Sequence, residues 1–360
     1  MGFIIITIPV VIIFIINGLA HLFYAFKLNK LFPEMHNFYN TILTVGLWII
    51  GGLVYPFYFI SHDDSLLFPI LSVIFISLFT PCLIGLVLLY QNHYVIKRNP
   101  EVKEQREIKK YIEKCQKRLN GRTKDAKKVI FRIDLKRKSL HLFPAAVIIG
   151  LWIYSVSIWE GLLNQHLIWG INGQEYATFL IITAGYSGIL VFAALDYLRL
   201  SYIFESYNYF HLIPDNVLDL LSRSMKEKEL YEFTKPVALV LAFAPLFFLP
   251  FGIFSSIALI STIGDGAASL IGLKFGKINF PKNSPKTIIG YVAGFVSSFL
   301  IALLPLTLFQ SNMALPKILI MALVASFIFL FIDLNPLKVD DNILNPLFCG
   351  MGMVLVYLFL

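Results

Sequence analysis

The chain has 360 residues, 58% of them hydrophobic and 14% charged, with a formal net charge of +8. Soluble domains are about 45–50% apolar and about 25% charged, so the composition excludes both a water-soluble fold and a disordered chain and predicts an all-α, polytopic integral membrane protein. Cys82, Cys115 and Cys349 are too few and too unevenly placed for a disulfide framework.

A helix needs roughly 20 apolar residues to cross about 30 Å of hydrocarbon. Ten segments meet or approach that length, near 3–24, 40–61, 66–92, 140–159, 177–198, 236–251, 254–273, 287–309, 316–334 and 343–360. The first lacks a basic start and a small-residue cleavage site, and so reads as a retained span. The sixth and seventh meet at Phe247-Phe248-Leu249-Pro250-Phe251-Gly252, where Pro250 and Gly252 favour a turn over one overlong helix. This divides the chain into a three-helix membrane block (1–96), a basic loop (97–139) and a seven-helix membrane domain (140–360).

Alternating ten spans puts 29 of the 30 Lys and Arg residues on one face, with only Lys317 opposite. Basic residues in short loops stay in the cytoplasm. The rich face is therefore expected to be cytoplasmic, with both termini outside, in a prokaryotic plasma membrane or an endoplasmic reticulum. The charge then faces a bilayer and anionic solutes, not nucleic acid. Within the basic loop, residues 101–119 mix both signs at three- and four-residue spacing, which predicts one solvated helix. Farther on, Pro214-Asp215 opens a helix in which Val217, Leu218, Leu221 and Met225 share a face, a pattern suited to lying flat in the headgroup region.

Ionisable groups in or beside spans are costly and therefore informative. Four clusters occur, all at the cytoplasmic boundary of this topology. The first, Arg137-Lys138-Ser139-Leu140-His141, runs a basic pair into the fourth span; a snorkelling anchor explains the pair but not His141. The second is Asp196-Tyr197-Leu198-Arg199, whose i, i+3 spacing also suits a simple intrahelical ion pair. The third joins Gly264-Asp265-Gly266 to Gly272, Gly276 and Ser284-Pro285-Lys286-Thr287. Small residues there serve close helix packing or close approach of an anion. Amides at the helix start with Lys286 form a candidate phosphate cradle, although no Walker sequence is present. The fourth is Asp333 followed by Asp340-Asp341-Asn342, where a helix cap by Asp341 or Asn342 is one reading. Mg²⁺ carrying substrate phosphates is the other, since three carboxylates near one boundary call for a positive partner. No Cys/His spacing suits zinc.

Together these clusters resemble the membrane-embedded polyprenol kinase family: dolichol kinases, phytol and farnesol kinases, and fungal CTP-dependent diacylglycerol kinases. The matching pieces are Arg137-Lys138-x-x-His141, Asp196/Arg199, Gly264-Asp265-x-x-Ala268 with Gly272 and Gly276, the run through Lys286 and Gly290, and Asp341-Asn342-x-x-x-Pro346. They cover about 140–350. The family often has Glu at Asp333 and Lys-Ser at Lys286-Thr287. Ser284-Pro285-Lys286-Thr287-x-x-Gly290 is also similar to a run in the phosphatidate cytidylyltransferases, whose second acidic signature is not found here.

The resemblance implies a transferase that moves the terminal phosphate of CTP, or ATP, to a membrane-embedded alcohol such as dolichol or another polyprenol. The alternative is a cytidylyltransferase making a CDP-lipid. It further implies Mg²⁺ on Asp265 and Asp341, with Asn342 supporting. Nucleotide phosphates would lie on Arg137, Lys138, Lys286, Ser284, Thr287 and the backbone at Gly264, Gly266 and Gly276. His141, Asp333 or Asp340 would take the acceptor's proton, and Asp196 and Arg199 would orient the site. A secondary transporter ranks third, because its ionisable residues would be expected near the middles of spans.

Overall fold

The computed structural model describes residues 2–62, 66–113, 126–204, 207–224, 228–282, 284, 286–335 and 337–360. Met225, Pro285 and residues 114–119 of the predicted 101–119 helix lie outside them. The described residues form helices and no strand beyond one isolated bridge. Among the described residues, nine helices are long and apolar enough to cross a bilayer: α1 (Ile5–Leu31), α2 (Phe38–Ile60), α3 (Leu67–Ile96), α4 (Ile130–Glu160), α5 (Gly173–Ile203), α7 (Phe251–Phe275), α8 (Ile288–Phe309), α9 (Leu315–Leu334) and α10 (Asp341–Phe359). The protein is thus an all-α, multi-pass integral membrane protein.

The sixth expected span is shorter than predicted. The helix there, α6, is Lys235–Phe248, about 20 Å at the α-helical rise. It ends in a 3₁₀ stretch over Ala244–Phe248 before Pro250. At 14 residues it falls short of the roughly 20 apolar residues of an ordinary span.

The chain forms two compact units. One comprises Met1–Gly121 and Val147–Val237, the other Arg122–Ala146 and Ala238–Leu360. In the first, aromatic and hydroxyl groups join the spans. Phe14 packs on Trp48 and Tyr186, Tyr186 donates to the Gly51 carbonyl at 2.6 Å, and Tyr55 donates to Ser72 at 2.8 Å. Such interhelical bonds supply cohesion that apolar burial cannot supply in lipid. The solvated helix predicted for 101–119 is interrupted at Arg106. Pro100–Gln105 ends there, and the buried guanidinium turns to Asp215 (2.6 and 2.9 Å) and Gln91 (2.9 Å). The helix Asp215–Ser224 forms where expected. Its apolar face is covered by protein, with Leu218 packed among Tyr111, Phe210 and Ile213.

The second unit is built around α7. Every residue of Phe251–Leu259 is buried, as befits a helix that is apolar all round. Ile253, Ile257 and Ile260 pack with Ala302 and Leu306 of α8, Met321 and Phe329 of α9, and Cys349 and Met353 of α10. Small residues let α7 and α8 close on each other. A Cβ at Gly290 would stand 2.8 Å from the Ala268 carbonyl oxygen, and one at Gly264 would collide with Ser298. Gly264, Gly272 and Gly290 of the third cluster therefore serve helix packing, whereas Gly266 has room around it.

Candidate active site

The site lies within the second unit and is assembled from the ends of five helices. On α4, Asp134, Arg137, Lys138 and His141 are all buried, whereas Leu135, Leu140 and Phe143 are exposed. Their i, i+3, i+4, i+7 spacing makes one polar stripe. A helix with charge facing in and leucine facing out is built for lipid surroundings.

Opposite that stripe, α7 widens into a π-type turn over Ile260–Gly264 immediately before Asp265. Lys138 donates to the Asp265 carboxylate. One turn later, Ser269 donates to Asp134, which also takes Arg137 at 2.6 Å. Asp134 was not among the candidates read from the sequence. Its signal was the same acid-x-x-Arg spacing as Asp196/Arg199, obscured by the surrounding basic residues.

Between α7 and α8 the chain folds back through one antiparallel bridge, Asn279 to Thr287. The Phe280 amide donates to the Lys286 carbonyl at 3.0 Å, and Tyr291 donates to the Phe280 carbonyl at 2.9 Å. Ser284 Oγ accepts the Lys286 amide at 3.1 Å, while Thr287 caps α8 by accepting the Gly290 amide at 3.2 Å. Gly276 lies against Thr287, and Gly266 faces Lys138.

So held, Lys286 donates to both the carboxylate and the carbonyl of Asp333, each at 2.7 Å. Burial alone would push the Lys286 ammonium down. The Asp333 carboxylate and its hydrogen bond, with a contribution from Asp341, outweigh this and hold it above the usual lysine value. At the start of α10 the cap is Asp340, not Asp341 or Asn342. Asp340 accepts the Asn342 amide at 2.9 Å. The cap falls one residue early because Asn342 is buried, its side-chain amide donating to both Asp340 and Asp341.

Asp265 and Asp341 both lie within electrostatic reach of Asp333. Acids from α7, α9 and α10 and lysines from α4 and the α8 entry thus share one neighbourhood. Among the described residues, no group of three or more His, Cys, Asp or Glu side chains stands close enough to hold an ion unaided. Carboxylates backed by lysines suit an ion that takes one or two protein oxygens and completes its shell with phosphates.

Asp196 and Arg199 belong to the first unit and are saturated there. Asp196 accepts the amide and hydroxyl of Thr234 at 2.7 and 2.8 Å. Arg199 reaches Asp196 at 3.0 Å, the Glu229 carbonyl at 2.9 Å and the Glu232 carbonyl. The pair fastens the 229–234 segment to α5.

No protein-family model matches the chain, and no solved structure matches it. The chain is 35% identical over 94 residues to a probable chloroplastic phytol kinase of Triticum aestivum, covering 23% of the chain and 30% of that protein. It is 33% identical over 102 residues to a probable chloroplastic phytol kinase 1 of Oryza sativa subsp. japonica, covering 26% and 32%. The chain thus spans about a third of the length of the plant proteins it matches, a similarity that reaches phytol kinase-like proteins in part.

Proposed function

We propose that the second unit is a phosphotransferase that moves the terminal phosphate of CTP or ATP to the hydroxyl of a long-chain isoprenoid alcohol drawn from the bilayer. One observation carries this reading. Lys138 and Lys286, from separate stretches of chain, meet Asp265, Asp333 and Asp341 at one end of the helices. The partial similarity to plant phytol kinases supports the same chemistry.

Phosphoryl transfer demands positioning and neutralisation of spreading negative charge more than covalent help. Lys286 is half-exposed beside the Thr287-capped start of α8. It is the group best placed to leave Asp333 for an incoming phosphate, while Lys138 joins the neighbourhood from α4 through Asp265, with Arg137 beside it on Asp134. Asp265 and Asp341 would hold Mg²⁺, whose charge would offset that of the triphosphate. The alcohol oxygen forms the new bond to phosphorus as the bond to the nucleoside diphosphate breaks, and the hydroxyl proton passes to the protein. Asp340 is committed to its cap, which favours His141 or Asp333 as the proton's acceptor. The basic loop would draw nucleotide to a cytoplasmic site.

Incubating the full chain in nanodiscs with nucleotide labelled at the terminal phosphate tests this. Labelled lipid phosphate is expected with an isoprenoid alcohol. A cytidylyl group on lipid would instead mean a cytidylyltransferase, and no labelled lipid with either nucleotide would end the kinase reading.

A further inference from the structure

Near the charged cluster lies a groove to which the phosphate-transfer steps assign no role. Helices α9 and α10 pack against each other and border an open groove of about 620 Å³ lined by apolar residues, within the range of about 300–1,000 Å³ of small-molecule sites. Along α10 its wall is Leu344, Phe348, Met351 and Leu355, an i, i+4, i+7, i+11 stripe; Phe327 and Phe331 stand on the α9 side. Gly352 forms part of the floor, where a Cβ would meet Ile328 and, at 3.2 Å, Val324.

The mouth of the groove is fixed by chain order. Leu334 follows Asp333 directly, and Leu344 comes three residues after Asp341, so the groove starts at the acids and runs away from them. From Leu344 to Leu355 it extends about 16 Å at the helical rise. An occupant that ran its length with a polar end toward Lys286 and Asp333 would be an amphiphile with its hydrocarbon between α9 and α10.

We propose that this groove seats the hydrocarbon of the acceptor, one chain per site, with the chain end toward Leu355; this deepens the kinase reading and rests on it. Neighbouring helix axes lie about 8–10 Å apart, and the crease between two of them admits a single file of carbons. A diacylglycerol would have to leave one acyl chain outside. Lipid tails are as apolar as leucine, so burial in the groove confers no hydrophobic gain over the bilayer. Selection must come from shape, favouring one long chain over two.

The test uses the full chain in phosphatidylcholine nanodiscs without nucleotide, and a long-chain isoprenoid alcohol with a photoreactive group at its chain end. Labelling is expected in α10 near Met351 and Leu355. Unlabelled alcohol should compete, and an equal mole fraction of diacylglycerol should not. Leu355→Trp, which plugs the far end, should cut labelling about tenfold and leave that by a short-chain analogue unchanged. Both Met351 and Leu355 are exposed, so Met351→Trp provides a second plug should the first variant fail to fold. Labelling scattered over many helices, or competed equally by diacylglycerol or phospholipid, would mean bilayer lipid only and overturn the proposal. The two readings fail separately. A chain that takes the label but transfers phosphate from neither nucleotide loses the kinase and keeps the groove. A chain that transfers phosphate with the same chain-length profile in wild type and both Trp variants loses the groove and keeps the kinase.

Discussion

Two of the ion pairs among the described residues differ in how fully their bonds are used. In the first unit Arg199 is 1% exposed and Asp196 is fully buried, with both carboxylate oxygens engaged and the guanidinium tied to two backbone carbonyls. In the second unit Lys286 keeps 44% of its side chain exposed while paired with Asp333. A saturated pair has no bond left for a ligand, whereas an open one can exchange its carboxylate for a phosphate. Sequence spacing alone presents both as costly charge near a span; the count of committed bonds separates clasp from site.

The sharpest way to break this contrast is Arg199→Ala. Removing one partner of a buried pair typically costs about 3–5 kcal/mol. The yield of monodisperse protein should collapse, while phosphate transfer per folded molecule is retained; loss of transfer at full stability would move Arg199 into the site. Lys286→Ala should do the reverse. Transfer should fall about 10²–10³-fold, the scale for losing one preorganised charge donor, with little change in melting temperature because a half-exposed pair adds little stability. Asp265 is better tested as Asp265→Asn than as alanine, since alanine would strand the buried Lys138 ammonium.

Smaller still is Thr287→Ala, which removes the α8 cap and should cost about 0.5–2 kcal/mol in thermal unfolding, with Thr287→Ser restoring most of it. The finest test is pH. The Lys286 pKa is raised, so the charged pair's contribution is whole below the ordinary lysine value of about 10.4 and fades only as pH rises through the higher folded value. Nucleotide binding should show no lysine-type decline between pH 8 and 10. A decline there that disappears in Lys286→Arg would contradict the raised value.

The spans were legible because lipid imposes one rule on them, a long apolar run, and nine helices among the described residues obey it. The sixth and seventh part at Pro250, where the sequence places a turn, and the sixth helix is only a little shorter than its apolar run. Lys286 and Asp333 stood out as charge beside apolar runs, but their pairing depends on how α8 and α9 pack and has no signature in spacing. Arg106 was read as one of many solvated charges. Only the fold shows that it breaks its helix to reach Asp215.

The π-type turn over Ile260–Gly264 carries a consequence for how α7 can vary. A turn of this kind absorbs one extra residue in a regular helix, and each residue rotates the helix by about 100°. Deleting a single position there would let the turn tighten to regular α-helix, with the isoleucine seam before it and Asp265 after it both kept on their present sides. A one-residue deletion in the regular helix beside it would instead swing Asp265 off the side that meets Lys138, so this short stretch is where α7 should tolerate the loss of a residue.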